Sequence, residues 1–127
     1  MTTDEIQIII NKSYPLIQKY YSKGSLEIPK IELHRDIYAR LSGDEEARGE
    51  HSSSSKAQYD ENVNIIYIYY PNMMNEEDVI RSLIHEYTHY RQNITQFKKQ
   101  YADKYNYEDN PYEIEAHKNE EDWNLFI

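Results

Sequence analysis

Asn75-Glu76-Glu77-Asp78-Val79-Ile80-Arg81-Ser82-Leu83-Ile84-His85-Glu86-Tyr87-Thr88-His89-Tyr90 is the stretch that decides how this chain folds. Val79, Ile80, Leu83, Ile84, Tyr87 and Tyr90, continuing to Ile94, recur at the 3.6-residue period of a helix with one apolar face. Asn75 is a capping residue, and Glu76, Glu77 and Asp78 place carboxylates at the positive end of the helix dipole. His85 and His89 lie beside the apolar stripe rather than in its middle. Residues four apart share a helix face, so both imidazoles project to the same side. Such a helix buries one face in a core and lines a cleft with the adjoining edge.

The chemistry lies in His85-Glu86-Tyr87-Thr88-His89, an HExxH word. Two imidazoles on one face can reach a single metal ion, and Glu86 lands beside the open coordination position where a water sits. Two nitrogen ligands, a carboxylate base and a polarised water are the minimal kit of a zinc hydrolase. Zinc lowers the pKa of its water toward ~7, and Glu86 takes the proton and passes it to the leaving amine. The plain alternative is a surface helix with two solvated histidines, which predicts no tight metal.

Catalytic zinc usually has three protein ligands. The chain contains no cysteine, so the third must be His, Asp or Glu. The best source is Asn110-Pro111-Tyr112-Glu113-Ile114-Glu115-Ala116-His117. Asn as cap with Pro in the first turn marks a helix start. Glu113 opens a Glu-x-x-Ala pattern whose small Ala116 permits close approach to the HExxH helix. A competing reading exists, because Asn110 and Glu113 also have capping-box spacing. That arrangement would commit Glu113 to the backbone and leave Glu115 as the ligand.

HExxH followed by Glu-x-x-Ala resembles the gluzincin metallopeptidases, especially small ones and the ImmA/IrrE-type peptidases. The resemblance spans residues 26–122 if the strands are included. It implies that His85, His89 and Glu113 hold one Zn²⁺ per chain and that Glu86 is the general base. It also implies a zincin-like α+β fold with an N-terminal helix and a small mixed or antiparallel sheet. The HExxH helix and a C-terminal helix carrying the third ligand complete it. Four positions after the Glu ligand such families commonly carry Asp or Asn, which supports a ligand His. Here that position is His117, which is expected to donate to the oxyanion or to substitute as a ligand.

The remaining segments fit this plan. Residues 4–22 read as a helix with Ile6, Ile9, Ile10, Leu16 and Ile17 apolar, and Pro15 is expected to kink or break it. Gly24 and Ser25 end it. Residues 26–34 alternate weakly as a strand, and residues 63–70, rich in β-branched and aromatic side chains, form the main one. Residues 43–55, with two glycines and four consecutive serines, read as a mobile loop. Residues 55–59 then read as a short edge strand, and Lys56 to Tyr59 could pair with an extended peptide substrate by strand addition. An ordinary hairpin strand is the competing reading.

A chain of 127 residues makes one domain, 1–127, with a core large enough to fold alone. No repeat, transmembrane run or signal peptide is visible, which favours the cytoplasm without excluding export by another route. The formal charge of −9, from 23 acidic and 14 basic residues, argues against nucleic acid and suits a protein or peptide substrate. Of the 14 tyrosines, Tyr101, Tyr105, Tyr107 and Tyr112 fall between the HExxH helix and Glu113. One of them, with Tyr112 as the candidate, is expected to stabilise an oxyanion. Two other classes compete with the peptidase: a catalytically silent, zinc-stabilised binding module, and an acidic interaction protein with a chance HExxH. The apolar end, Trp123 to Ile127, either finishes the core or lies in the cleft and inhibits.

Overall fold

The computed structural model describes residues 1–44, 55–92 and 110–127. The readings that concern Ile94, Tyr101, Tyr105, Tyr107 and residues 45–54 of the serine-rich loop lie outside these residues. In chain order the elements are α1 (Thr3–Tyr21), β1 (Lys30–His34), α2 (Ile37–Ser42), β2 (Ala57–Asp60) and β3 (Ile65–Tyr69). A 3₁₀ turn (Tyr70–Asn72), α3 (Glu76–Arg91), α4 (Pro111–Asn119) and a 3₁₀ segment (Glu120–Phe126) follow. The class is α+β. The sheet is mixed, in the order β1-β3-β2, with β3 parallel to β1 and antiparallel to β2.

Central β3 is apolar throughout because both of its faces are covered. Ile66 and Ile68 join the main core with Ile6, Ile10 and Ile17 of α1 and Val79, Ile80, Leu83 and Ile84 of α3. Tyr67 and Tyr69, on the opposite face by the two-residue period, are also buried. There the Arg40 guanidinium lies 4.1 Å from the centre of the Tyr67 ring. The strand is shorter than the 63–70 expected. Asn64 takes a left-handed φ of 56°, which Asn tolerates better than most residues. Its amide donates to the Glu27 carbonyl at 2.7 Å, so the backbone turns before pairing begins. Strand β1 likewise starts at Lys30 rather than Leu26, after Pro29, which has no N–H to give a ladder.

Pro15 does not break α1. The helix runs from Thr3 to Tyr21 with Pro15 inside it. Pro15 is on the exposed side, so solvent can satisfy the carbonyl that its missing N–H abandons. The buried row Ile6, Ile10, Tyr14 and Ile17 meanwhile holds the opposite side in register. A capping box anchors the start: Glu5 N–H donates to Thr2 Oγ1 at 3.1 Å, and Thr2 N–H donates to Glu5 Oε1 at 2.9 Å. Helix α2 was not anticipated. Asp36 caps it, accepting from Ala39 N–H at 2.7 Å, and Gly43 ends it at φ 74°.

Tyrosine hydroxyls pin the connections around α1. Tyr14 donates to the Pro29 carbonyl (2.8 Å), Tyr87 to the Ser22 carbonyl (2.6 Å) and Tyr90 to the Leu26 carbonyl. Tyr21 donates to Asp122 Oδ2 at 2.9 Å, tying α1 to the chain end. Burial raises the pKa of Tyr14, Tyr21 and Tyr59, the last to about 12, with neighbouring tyrosines and carboxylates adding to the shift. A folded pKa above the unfolded value of ~10 gives stability that is full below that pH and lost as pH rises through the folded value. Urea midpoints should therefore hold steady up to about pH 10 and fall steeply toward pH 12. The share of the tyrosinate absorbance that belongs to Tyr14, Tyr21 and Tyr59 should appear only with unfolding. Its loss from the unfolding step in Tyr14→Phe, with no change in the rest, is the check, and complete ionisation of all tyrosines in protein that stays folded would contradict this account.

Candidate metal centre

Helix α3 forms as the sequence predicts. Asn75 caps it, accepting from Asp78 N–H at 2.9 Å, and its core-facing residues are buried. The periodicity that buries Leu83, Ile84 and Tyr87 also fixes the direction of His85 and His89. Helix α4 crosses α3 with Ala116 fully buried, and the missing bulk there lets the two helices approach. Asn110 caps α4 through Tyr112 N–H at 2.8 Å. The capping box that would have occupied Glu113 does not form.

Glu113 instead meets both histidines. Its Oε2 is 3.1 Å from His85 Nε2 and its Oε1 is 2.7 Å from His89 Nε2, while the two Nε2 atoms are 3.2 Å apart. The three side chains are 12%, 11% and 13% exposed for His85, His89 and Glu113. Zinc–nitrogen and zinc–oxygen bonds of ~2.0–2.1 Å in tetrahedral geometry require donor separations of about 3.3 Å. The two Nε2 atoms are near that spacing, and the Glu113 carboxylate lies against both, one oxygen to each. Glu115 faces elsewhere, accepting from Gln92 Nε2 at 3.1 Å.

The outer nitrogens each have an acceptor of their own. Gln92 Nε2 donates to the Tyr112 carbonyl at 3.0 Å, so its Oε1 is left to accept from His89 Nδ1 at 2.7 Å. His85 Nδ1 donates to Glu120 Oε2 at 2.8 Å. With Nδ1 of each ring engaged, both Nε2 atoms face Glu113, and a metal ion that displaced their protons would meet the Nδ1-protonated tautomer of both imidazoles. Burial disfavours a charge on His85, but the carboxylates of Glu113 and Glu120 outweigh it and push the pKa up to about 10. Burial also opposes charge on His89, and Glu113 again raises the value. A field that favours a proton this strongly favours a metal cation for the same reason.

Glu86 is buried, and burial lifts its carboxyl above the usual carboxylate range against the opposing pull of His85 and His89. Its Oε1 accepts from Tyr59 N–H at 3.0 Å. Tyr69 N–H donates to the Lys56 carbonyl, so the alternation of an antiparallel ladder turns the backbone groups of Ala57 and Tyr59 away from β3. Edge strand β2 thus points its outer side at α3. A cleft of about 300 Å³ opens there, lined by His85 and Glu86, by Lys56 and Ala57, and by His117 and Glu120.

Of the other expected residues, His117 lines this cleft. Its Nδ1 is 3.0 Å from Glu120 Oε2, and its Nε2 is 4.0 Å from Glu113 Oε2. Tyr112 is not brought to the cleft; it lines a separate polar recess with Arg91, Gln92 and Glu115, because its place on α4 lies toward the end of α3. Sequence reasoning missed Glu120 and Gln92. Glu120 is seven residues, or about two turns, beyond Glu113, a spacing that keeps it on the same helix face. Gln92 follows His89 by three and lies within reach of the same turn, but nothing in its surroundings marked it. No protein-family model, curated protein or solved structure matches this chain.

Proposed function

We propose that this chain is a zinc-dependent endopeptidase with Glu86 as its general base. The observation that carries the reading is the Glu113 carboxylate lying against both Nε2 atoms while Glu120 and Gln92 occupy both Nδ1 atoms. A salt-bridge cluster without a metal role has no need for two Nε2 atoms 3.2 Å apart that converge on one carboxylate. His85, His89 and Glu113 hold the ion. Zinc bound there supplies a Lewis acid and a coordinated water whose pKa is lowered toward ~7.

The protein's own groups do the rest. Tyr59 N–H holds one oxygen of Glu86, leaving the other to take a proton from the attacking water and deliver it to the leaving amine. The outward backbone of Ala57 and Tyr59 offers an edge for an extended peptide, with affinity from main-chain hydrogen bonds. One of the edge donors already serves Glu86, so seating the substrate and placing the base involve the same strand.

Metal content tests this reading. Elemental analysis of the purified protein should find about one zinc per chain, and His85→Ala and Glu113→Ala should each lose or weaken it. Metal-replete protein should then cleave an unstructured peptide. Protein that contains no metal and takes up none on adding zinc would end the proposal. Tight zinc without cleavage of any peptide would leave a zinc-stabilised binding module.

A further inference from the structure

We infer that the mouth of the same cleft holds a second, weaker cation site, built from His117 and Glu120, that fills when zinc is in excess. The inference rests on reading His85, His89 and Glu113 as the first site. His117 and Glu120 are three residues apart where α4 passes into the 3₁₀ segment, which puts both side chains over the cleft. The Nδ1 to Oε2 separation of 3.0 Å is near the donor spacing of about 3.3 Å that a tetrahedral ion spans. A cation can therefore replace the hydrogen that His117 gives to Glu120.

His85 completes the outer group geometrically. Its Nδ1 is 2.8 Å from the same Glu120 oxygen, its ring centre is 4.7 Å from that of His117, and the three donors converge within 4.8 Å. Chemically it cannot serve both ions, because a neutral imidazole has one lone pair and that of His85 faces the inner group. The outer ion is thus left with two protein ligands against three, and binds more weakly. Charge favours its arrival. Glu113 and Glu120 already offset the charge of one divalent ion, and the Glu86 carboxyl lines the same cleft, so the loaded cleft does not repel a second. His117 is also 57% exposed, so the ion enters without passing the inner group. Both residues line the same cleft as Glu86, so an ion held there stands beside the proposed base.

Equilibrium dialysis against zinc alone reads this without reference to activity. Native protein should bind one zinc tightly and a second at least about tenfold more weakly, approaching two per chain. His117→Ala, at a half-exposed position, should keep the tight zinc and saturate at one. Glu120→Gln, which can still accept from His85, should weaken the second equivalent. Native protein that saturates at one, or a His117→Ala protein that still takes two, overturns the inference. Partly buried His34 beside exposed Glu32 is a competing pair (2.9 Å), and a second zinc lost in His34→Ala but kept in His117→Ala would assign it there. Failure of the first-site reading looks different: the tight zinc is missing, or is unaffected by His89→Ala.

Discussion

Glu86→Gln should keep its zinc and lose turnover. General-base catalysis contributes roughly 10²–10⁴-fold, and a fall in kcat of that size or larger is the expected result with a metal content of about one per chain. The substitution is well suited to the question. Glutamine preserves the shape and can still accept from Tyr59 N–H, so the tie between β2 and α3 survives. It also removes an ionisable group whose burial raises its pKa, so thermal stability should be unchanged or slightly higher. If the variant cleaves peptides as fast as the native protein, Glu86 is not the base. If it loses zinc as well, the effect is on the site's structure, and the kinetics say nothing of proton transfer.

The second large effect is expected at the far end of the chain. Phe126 is 3% exposed within the main core. It meets Tyr20 edge-on at 5.5 Å and Tyr21 at 6.0 Å between ring centres. Replacing a buried Phe by Ala costs about 3–5 kcal/mol, against a total of ~5–15 kcal/mol for a domain of ordinary stability. Phe126→Ala should therefore shift the urea midpoint far down, and deletion of residues 123–127 should leave little soluble protein. The loss should also reach the metal. Glu120 opens the same 3₁₀ segment, and Tyr21 and Thr88 hold that region through Asp122 and Asn119. Zinc affinity in Phe126→Ala is expected to fall along with stability. A truncated protein that stays folded and cleaves faster would instead make the tail an inhibitory segment, contrary to its packing.

Much of the candidate site is legible along the chain because its first half is local. The spacing of His85 and His89 sets their common direction through helix geometry alone, and the apolar stripe orients the helix that carries them. The cap at Asn75 and the start at Asn110-Pro111 are equally local, since each depends on bonds within a few residues. The strands were harder to bound. Residues 63–70 have uniform β-propensity, and only the left-handed turn at Asn64 with its bond to Glu27 shows where pairing starts. Pro15 misled for a related reason. Its cost falls on one carbonyl, and whether that carbonyl meets solvent depends on which side of α1 is buried.

What the sequence by itself determined is the pair of imidazoles with a carboxylate between them in order, and a short set of acidic residues able to join them. Tertiary structure alone decided which acid joins. Glu113 and Glu115 differ by two positions and so point to different sides of α4; only the packing of Ala116 against α3 selects Glu113. The docking of α4 and the segment after it gives Glu120 to His85, and the docking of β2 gives the Tyr59 N–H to Glu86, whereas Gln92 reaches His89 from the end of the same helix. These partners are 35, 27 and 3 residues away from the groups they hold. Periodicity encodes what one helix does with its own side chains. The meeting of α3 with α4 and β2 depends on how whole surfaces bury one another, and no spacing rule along the chain contains that.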